Sequence, residues 1–591
     1  MRLRKLQLLF YLFFILTVSF IKAQDPNWET YYEKSGFLET PRYEQTVEFC
    51  QRLADYSPVV HYTNFGVSPQ GRLLPLLIVD KDGHFTPGKS SKTVLLIESG
   101  IHPGEPDGKD AVLMLIRDIV VYKKYNDLLE NITILFIPVF NVDGHERFGP
   151  YNRINQNGPK EMGWRTTAQN LNLNRDFVKA DAPEMQAWLK LFNEWKPHFF
   201  IDCHSTDGAD YQYAITYMIE TLGNMDNNLT HWLSDVYEPS VSKKMEESGF
   251  PIFPYVTFRQ WHDIRSGLRT GAAPGMLSQG YCALLNRPGL LIETHMLKDY
   301  KTRVEGTYNM ILFTMNILSK EGDKLKDLID KADNYCASAE FRKEPFPLGF
   351  RISNTDSIMV DFKGVEYDIS TSDLTGGSWF HYYPELPVTY SLPLFNKNIP
   401  SATTMLPEAY IIPAEWTEII GRIKYHGITM YPVREKINIE IETYVFENPV
   451  WSIMPNEGHH TVNAEATPVI MKREFAAGSV IIPIDQPSAR LIARMLEPKS
   501  NDSFLYWGFF NAIFEQKEYA ETYVMEPLAR KMLDNDETLR QEFEDAKQKN
   551  PDFFKQQWNI LNWFYLRSDY RDHNKNVYPV GRIKDLSTLV Y

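Results

Sequence analysis

Ser99-Gly-Ile-His-Pro-Gly-Glu105 is the stretch of this chain whose residue types and spacing could do chemistry most directly. An apolar, strand-like run precedes it at 93–98 and a helix-like run follows at 110–122. His102 and Glu105 therefore fall on the turn after a strand, three residues apart, where an imidazole and a carboxylate can bind one metal ion. In a chain with 14 histidines such a pair recurs by chance, so the reading depends on segments further along. His204 closes Phe199-Phe-Ile-Asp-Cys-His204, 99 residues beyond Glu105. Two ligands close in sequence and one distant suit a catalytic zinc with three protein ligands and a position left open for water.

Three more segments supply groups that such a centre would use. Asn170-Leu-Asn-Leu-Asn-Arg-Asp176 is a polar loop ahead of a helix, and Arg165 stands nine residues before Asn174. Arg165 and Arg175 can then face one pocket, and a guanidinium suits bidentate recognition of a carboxylate. Glu293 ends the otherwise apolar Pro288-Gly-Leu-Leu-Ile-Glu293. A carboxylate at the end of a buried strand is costly unless it is paired or functional. His295, two residues on, is a lesser rival ligand.

The elements needed to carry these groups are legible as strands and amphipathic helices in alternation from residue 31 to about 320. That pattern reads as α/β with a mostly parallel or mixed sheet flanked by helices. Strands are expected at 76–79, 93–98, 132–139, 199–203 and 289–293, with runs apolar enough for burial on both faces. Helices are expected at 110–122 and 181–195, the second capped by Asp181 with Pro183 in its first turn. His102, Asn141, His204 and Glu293 all lie at or just past the carboxyl ends of strands, where sites form in such sheets. Two further helices are expected at 301–318 and 323–341. Beyond them the composition shifts to a β-rich region, where Ile437, Ile439, Ile441, Thr443 and Val445 alternate with strand period. A short helix is expected at 413–425, and helices again at 490–496 and 518–547.

Taken together, His102-Pro-Gly-Glu105, Asn141-Val-Asp-Gly144, Asn174-Arg175, His204 and Glu293 stand in an order that resembles the zinc metallocarboxypeptidases of the carboxypeptidase A/B-like family. The resemblance covers roughly residues 40–320. It implies that His102, Glu105 and His204 hold one Zn2+ per chain and that Glu293 is the general base acting on a zinc-activated water. It further implies that Asn174 and Arg175 grip the C-terminal carboxylate of a peptide substrate, and that Arg165 stabilises the oxyanion. One departure concerns Asn172, where many relatives carry an Asp that hydrogen-bonds the first ligand histidine. Asn172 can orient His102 without adding negative charge. The family's substrate-capping tyrosine has no match near Thr270-Gly271, and Tyr281 is given no role.

The bulk properties bound the rest. With 591 residues the chain needs more than one core. Arg2, Arg4 and Lys5 precede an apolar run at 8–21 that ends in Lys22-Ala-Gln24, the layout of a secretory signal peptide. Removing residues 1–24 takes four of the 62 basic residues, leaving 58 against 76 acidic ones and a net charge of −18. Such a surface repels nucleic acid and anionic lipid. The four cysteines lack C-x-x-C spacing, which excludes a zinc knuckle and leaves disulfides and buried thiols open. His459-His460 reads as a loop, with stray metal binding the lesser alternative, and the aromatics around Trp507 and Trp558 read as core.

The expected organisation is a signal peptide at 1–24, a zinc carboxypeptidase-like catalytic domain at 25–343, a β-rich accessory region at 344–484 and a helical region at 485–591. The expected protein is a secreted or periplasmic zinc metallocarboxypeptidase with no membrane span after signal removal. One rival keeps the zinc but acts on cell-wall peptides or as an amide deacylase. The other is a non-catalytic exported binding protein.

Overall fold

The computed structural model describes residues 27–588. The signal-peptide expectation at 1–24 lies outside them. Among the described residues no helix is long and apolar enough to cross a membrane.

The first half of the chain builds one large sheet. Its strands are β1 (Val60–Val67), β2 (Leu73–Val79), β3 (Thr93–Ser99), β4 (Ile132–Ile137), β5 (Phe199–Thr206), β6 (Ile215–Ile219) and β7 (Ile252–Pro254). After the small strands β8 (Thr257–Gln260) and β9 (Asp263–Arg269), β10 (Gly289–His295) returns to its centre. The order is β1-β2-β4-β3-β5-β10-β6-β7. The inner strands β4, β3, β5 and β10 run parallel, whereas β1 pairs antiparallel with β2, β2 with β4 and β6 with β10, and β7 runs parallel to β6 at the far edge. The sheet is mixed, with the parallel part where the candidate residues lie.

Both faces of the inner strands are covered, which is why they read as unbroken apolar runs. Along β3, Leu95 and Ile97 join a core shared with the helices Asp107–Val120 and Tyr300–Cys336. Val94 and Leu96 join a second core on the opposite face, under the helix Pro183–Trp195. Close approach fixes two glycines. A Cβ on Gly108, at the start of the first of those helices, would lie 2.3 Å from Cys203 Cβ on β5. A Cβ on Gly322 would lie 2.0 Å from Thr93 Oγ1. Gly322 thus lets one 37-residue helix, Tyr300–Cys336, pass over β3 where the sequence reads as two helices, 301–318 and 323–341.

The second half folds onto the first. Strands β11 (Phe346–Ile352), β12 (Ile358–Thr371), β13 (Ser378–Phe395) and β14 (Asn398–Thr404) form two small sheets, and β13 pairs with β9. A six-stranded sheet follows from β15 (Ala409–Ile412), β16 (Tyr431–Pro432), β17 (Ile437–Trp451), β18 (Val462–Phe475), β19 (Val480–Pro483) and β20 (Gly581–Ile583). These pairings cross the divisions expected at 343/344 and 484/485. β20 comes from the segment read as helical, and its three residues are too few for a periodic signal. Tyr410, Ile412, Tyr444 and Ile482 of this sheet share one apolar cluster with Trp188, Phe192 and Leu96 of the first half.

Other differences are local. Residues 518–547 hold two helices, Thr522–Asn535 and Glu537–Lys549, because the Asp536 side chain accepts from Leu539 N and starts a new helix. Asp181 is not the cap of its helix; Ala182 occupies that position, and Asp181 instead pairs with Lys179, Arg422 and His459. All four cysteines are free and buried. Trp507 and Phe510 are core, whereas Trp558 is exposed.

Glu184 lies buried in the first turn of Pro183–Trp195, and burial pushes its carboxyl up from 4.5 to about 7. With the folded value raised, its contribution to stability is full below pH 4.5 and is lost as pH rises through about 7. Glu184→Gln should therefore stabilise the protein by roughly 1–3 kcal/mol at pH 8 and far less at pH 5.5. Thermal unfolding at the two pH values checks this, and an equal shift at both would contradict it.

Candidate active site

The loop after β3 begins with Gly100 in the left-handed region (φ 70°) and swings His102 and Glu105 back over the sheet end. Both are buried. β5 runs beside β3 and carries His204 near its end, where it pairs in register with Glu293 on β10. The three candidate ligands come together: one donor atom each from His102, Glu105 and His204 lies within 4.8 Å of the others.

The hydrogen bonds around the two imidazoles fix which nitrogen faces inward. His102 Nε2 donates to Asn172 Oδ1 at 2.8 Å, which leaves Nδ1 without a hydrogen bond and 3.2 Å from Glu105 Oε1. His204 Nε2 lies 2.8 Å from Asp202 Oδ2, and its Nδ1 lies 2.9 Å from Glu105 Oε2. Two inward Nδ1 atoms and a carboxylate, with each outer Nε2 held by an oxygen, fit a zinc ion. These three residues could hold it. Asn172 does orient His102, as its position in the sequence suggests.

The electrostatics differ between the two histidines. Burial holds the His102 imidazole down near 4, so it is neutral. Burial also works against the charged form of His204, but Asp202 and Glu105 outweigh it and hold that imidazole well above the usual range. Glu105 is held well below the carboxylate range despite burial, by Arg153 and His102 in particular. Arg153 pairs closely with Glu105 Oε1, and Arg165 Nη1 lies 3.2 Å from the same oxygen. Burial pushes Glu293 up to about 8, with His204 opposing and Glu105 and Asp202 adding to the shift.

A cavity of about 490 Å³ opens over this cluster and is lined by Arg165, Asn174, Arg175 and Glu293 together with the three candidate ligands. The seven residues to which the family resemblance gives a role therefore meet in one place. Asn174 Oδ1 accepts from Ser278 N, and its Nδ2 lies 3.2 Å from His204 Nε2. Arg175 Nη1 donates to Asn174 O at 2.6 Å. Asn141-Val-Asp-Gly144 serves as a clamp: Asn141 Oδ1 accepts from Gly144 N, and Asn141 Nδ2 reaches Arg165 O at 3.4 Å.

His295 takes no part. Its Nε2 donates to Ala209 O, and its Nδ1 accepts from Leu297 N. Tyr281 is buried against His426, 2.9 Å from hydroxyl to Nδ1, which agrees with giving it no role. The cavity also takes Arg153, Tyr255, Met218, Leu277, Gln279 and Leu291, which the sequence reading missed. Leu291 was within reach, two residues before Glu293 on one face of β10 and opposite Met218 on β6. Arg153 and Tyr255 sit on irregular connections that carry no periodic signal.

Residues 46–247 match the zinc carboxypeptidase family. They form a zinc carboxypeptidase domain. The chain is similar to carboxypeptidase 2 of Trichophyton rubrum, at 23% identity over 484 residues, covering 79% of this chain and 84% of that protein. That span is too long to stop at the first half. A shorter stretch is similar to carboxypeptidase B of Astacus astacus, at 26% identity over 121 residues, covering 20% of this chain and 35% of that protein. Among solved structures, carboxypeptidase A from Helicoverpa armigera matches at 18% identity with a TM-score of 0.36, covering 48% of this chain and 75% of that one. The chain therefore contains, at 46–247, a zinc metallopeptidase domain of this family.

Because a ligand imidazole must be neutral, a metal entering the cluster displaces the proton held on His204. Zinc affinity should accordingly fall as pH falls, with protons released on binding near pH 7. Titration calorimetry in buffers of different ionisation heat measures the release, and a heat independent of buffer would contradict it.

Proposed function

We propose that this chain is a secreted zinc metallocarboxypeptidase that removes single residues from the C-terminus of peptides, with one zinc held by His102, Glu105 and His204. The observation that carries the reading is the shared cavity, in which Glu293, Arg165, Asn174 and Arg175 surround the ligand cluster. Its catalytic unit is the zinc carboxypeptidase-like part at 25–343, supported by the regions at 344–484 and 485–591. Bound in this cluster, zinc would lower the pKa of water and polarise a carbonyl.

The chain's own groups supply the remainder. Glu293 Oε2 has no hydrogen-bond partner among the described residues, so in its ionised form it is free to take a proton from the attacking water. The same carboxyl then delivers it to the departing amine. Arg175 and the Asn174 amide bind the substrate's terminal carboxylate, which selects the last peptide bond of the chain. Arg165, partly exposed at the mouth, donates to the carbonyl oxygen as it gains charge. Tyr255 lines the same cavity and can close over the bound residue. Met218, Leu277 and Leu291, with the amide of Gln279, offer an uncharged wall that suits a neutral C-terminal side chain.

A mixed peptide library read by mass spectrometry tests this. Chelator-sensitive loss of single C-terminal residues is expected, with peptides ending in Leu or Met processed faster than those ending in Lys or Asp. Zinc binding without release from any peptide would move the substrate to cell-wall peptides or acylated amides. Glu293→Gln should retain fold and zinc while lowering kcat roughly 10²–10⁴-fold, and Arg175→Lys should act mainly on KM, because an ammonium cannot form the bidentate fork.

A further inference from the structure

The C-terminal sheet reaches the candidate site through a turn. β17 and β18 form a long hairpin whose connection tightens at Asn456-Glu457-Gly458-His459, where Asn456 N donates to His459 O and His459 N to Asn456 O. Both central residues have positive φ, 48° at Glu457 and 79° at Gly458, the pattern of a type I′ turn. Gly458 suits that backbone. Glu457 does not, since side chains with a Cβ rarely adopt it and Asn, Asp or Gly usually fill the position.

The strained glutamate makes a contact that explains its place. Glu457 Oε2 accepts from the backbone N–H of Asn172 at 3.0 Å. Asn172 in turn presents Oδ1 to His102 Nε2 and to Asn174 N. A chain of hydrogen bonds therefore runs from the hairpin tip to one candidate metal ligand and one candidate carboxylate-binding residue. Among the carboxylates acting on Arg175, Glu457 acts most strongly, ahead of Glu293 and Glu105.

A second anchor holds the tip down. His459 Nε2 lies 2.8 Å from Asp181 Oδ2, and its ring packs 4.8 Å from Phe509. Asp181 also binds Arg422, from the helix Thr417–Tyr425. The two anchors bracket the loop at 172–181, which carries Asn174 and Arg175.

We propose that Glu457 is a positioning residue of the site, through which the C-terminal hairpin sets the loop at 170–175 and hence the aim of His102 and the placement of Asn174 and Arg175. The metal arm of the test rests on the zinc carboxypeptidase reading; the loop-ordering arm does not. An unpaired Asn172 amide would let this loop breathe, and outer contacts to a ligand histidine commonly tune metal affinity about tenfold or more.

The test uses mature full-length protein with two variants. Glu457→Gly removes the carboxylate while suiting the positive-φ backbone, and Glu457→Gln keeps an oxygen that can accept from Asn172 N. Expected for Glu457→Gly are faster hydrogen exchange across 170–176, zinc affinity about 3- to 10-fold weaker by chelator competition, and an unfolding temperature unchanged or higher. Glu457→Gln should restore most of the protection and affinity, which a purely structural turn residue would not produce. Wild-type exchange and wild-type zinc affinity in Glu457→Gly would overturn the proposal. If exchange responds but even the unmutated protein binds no zinc, the positioning stands and the zinc carboxypeptidase reading falls.

Discussion

Glu105 is 2% exposed, and a carboxylate in such a place is stable only where opposite charge and hydrogen-bond donors converge on it. Two imidazoles, two guanidiniums and the Ser205 backbone N–H do so. These five partners come from three parts of the chain: the β3 loop, the end of β5, and the connection at 147–165. The parallel register of β3, β5 and β10 brings these segments to one sheet end, and burial on both faces keeps them there. The candidate site and a solution to the burial of one charge are here the same arrangement.

The outer contacts give the two histidines different characters. His102 rests on a neutral amide, Asn172, and stays neutral in its own right. His204 rests on the carboxylate of Asp202, which makes it the more basic imidazole. The negative charge that the family pattern leads one to expect behind His102 is thus absent there. The Glu457 carboxylate lies one step further out, on the backbone N–H of the same Asn172.

What the sequence made legible follows from where each signal lies. The candidate ligands and Glu293 stand at or just past the ends of apolar strands, so period and position reveal them together. The helix Tyr300–Cys336 reads from the sequence as two segments, 301–318 and 323–341, and only the close approach of Gly322 to Thr93 shows how a single helix passes between them. Arg153, Tyr255 and Glu457 were beyond reach, because each lies on an irregular segment and gains its meaning from a partner tens to hundreds of residues away. The C-terminal half gave no functional motif for the same reason. Its apolar cluster with Trp188 and Phe192 and its turn beside Asn172 join it to the half that carries the candidate site.

The central claim is that His102, Glu105 and His204 hold one metal ion through two imidazole nitrogens and one carboxylate. X-ray absorption at the zinc edge, on protein loaded with one equivalent, tests it most directly. The account predicts a first shell of nitrogen and oxygen at about 2.0–2.1 Å with the outer scattering of two imidazoles. Sulfur at about 2.3 Å, which would implicate Cys203 beside His204, or a shell without imidazole, would contradict it.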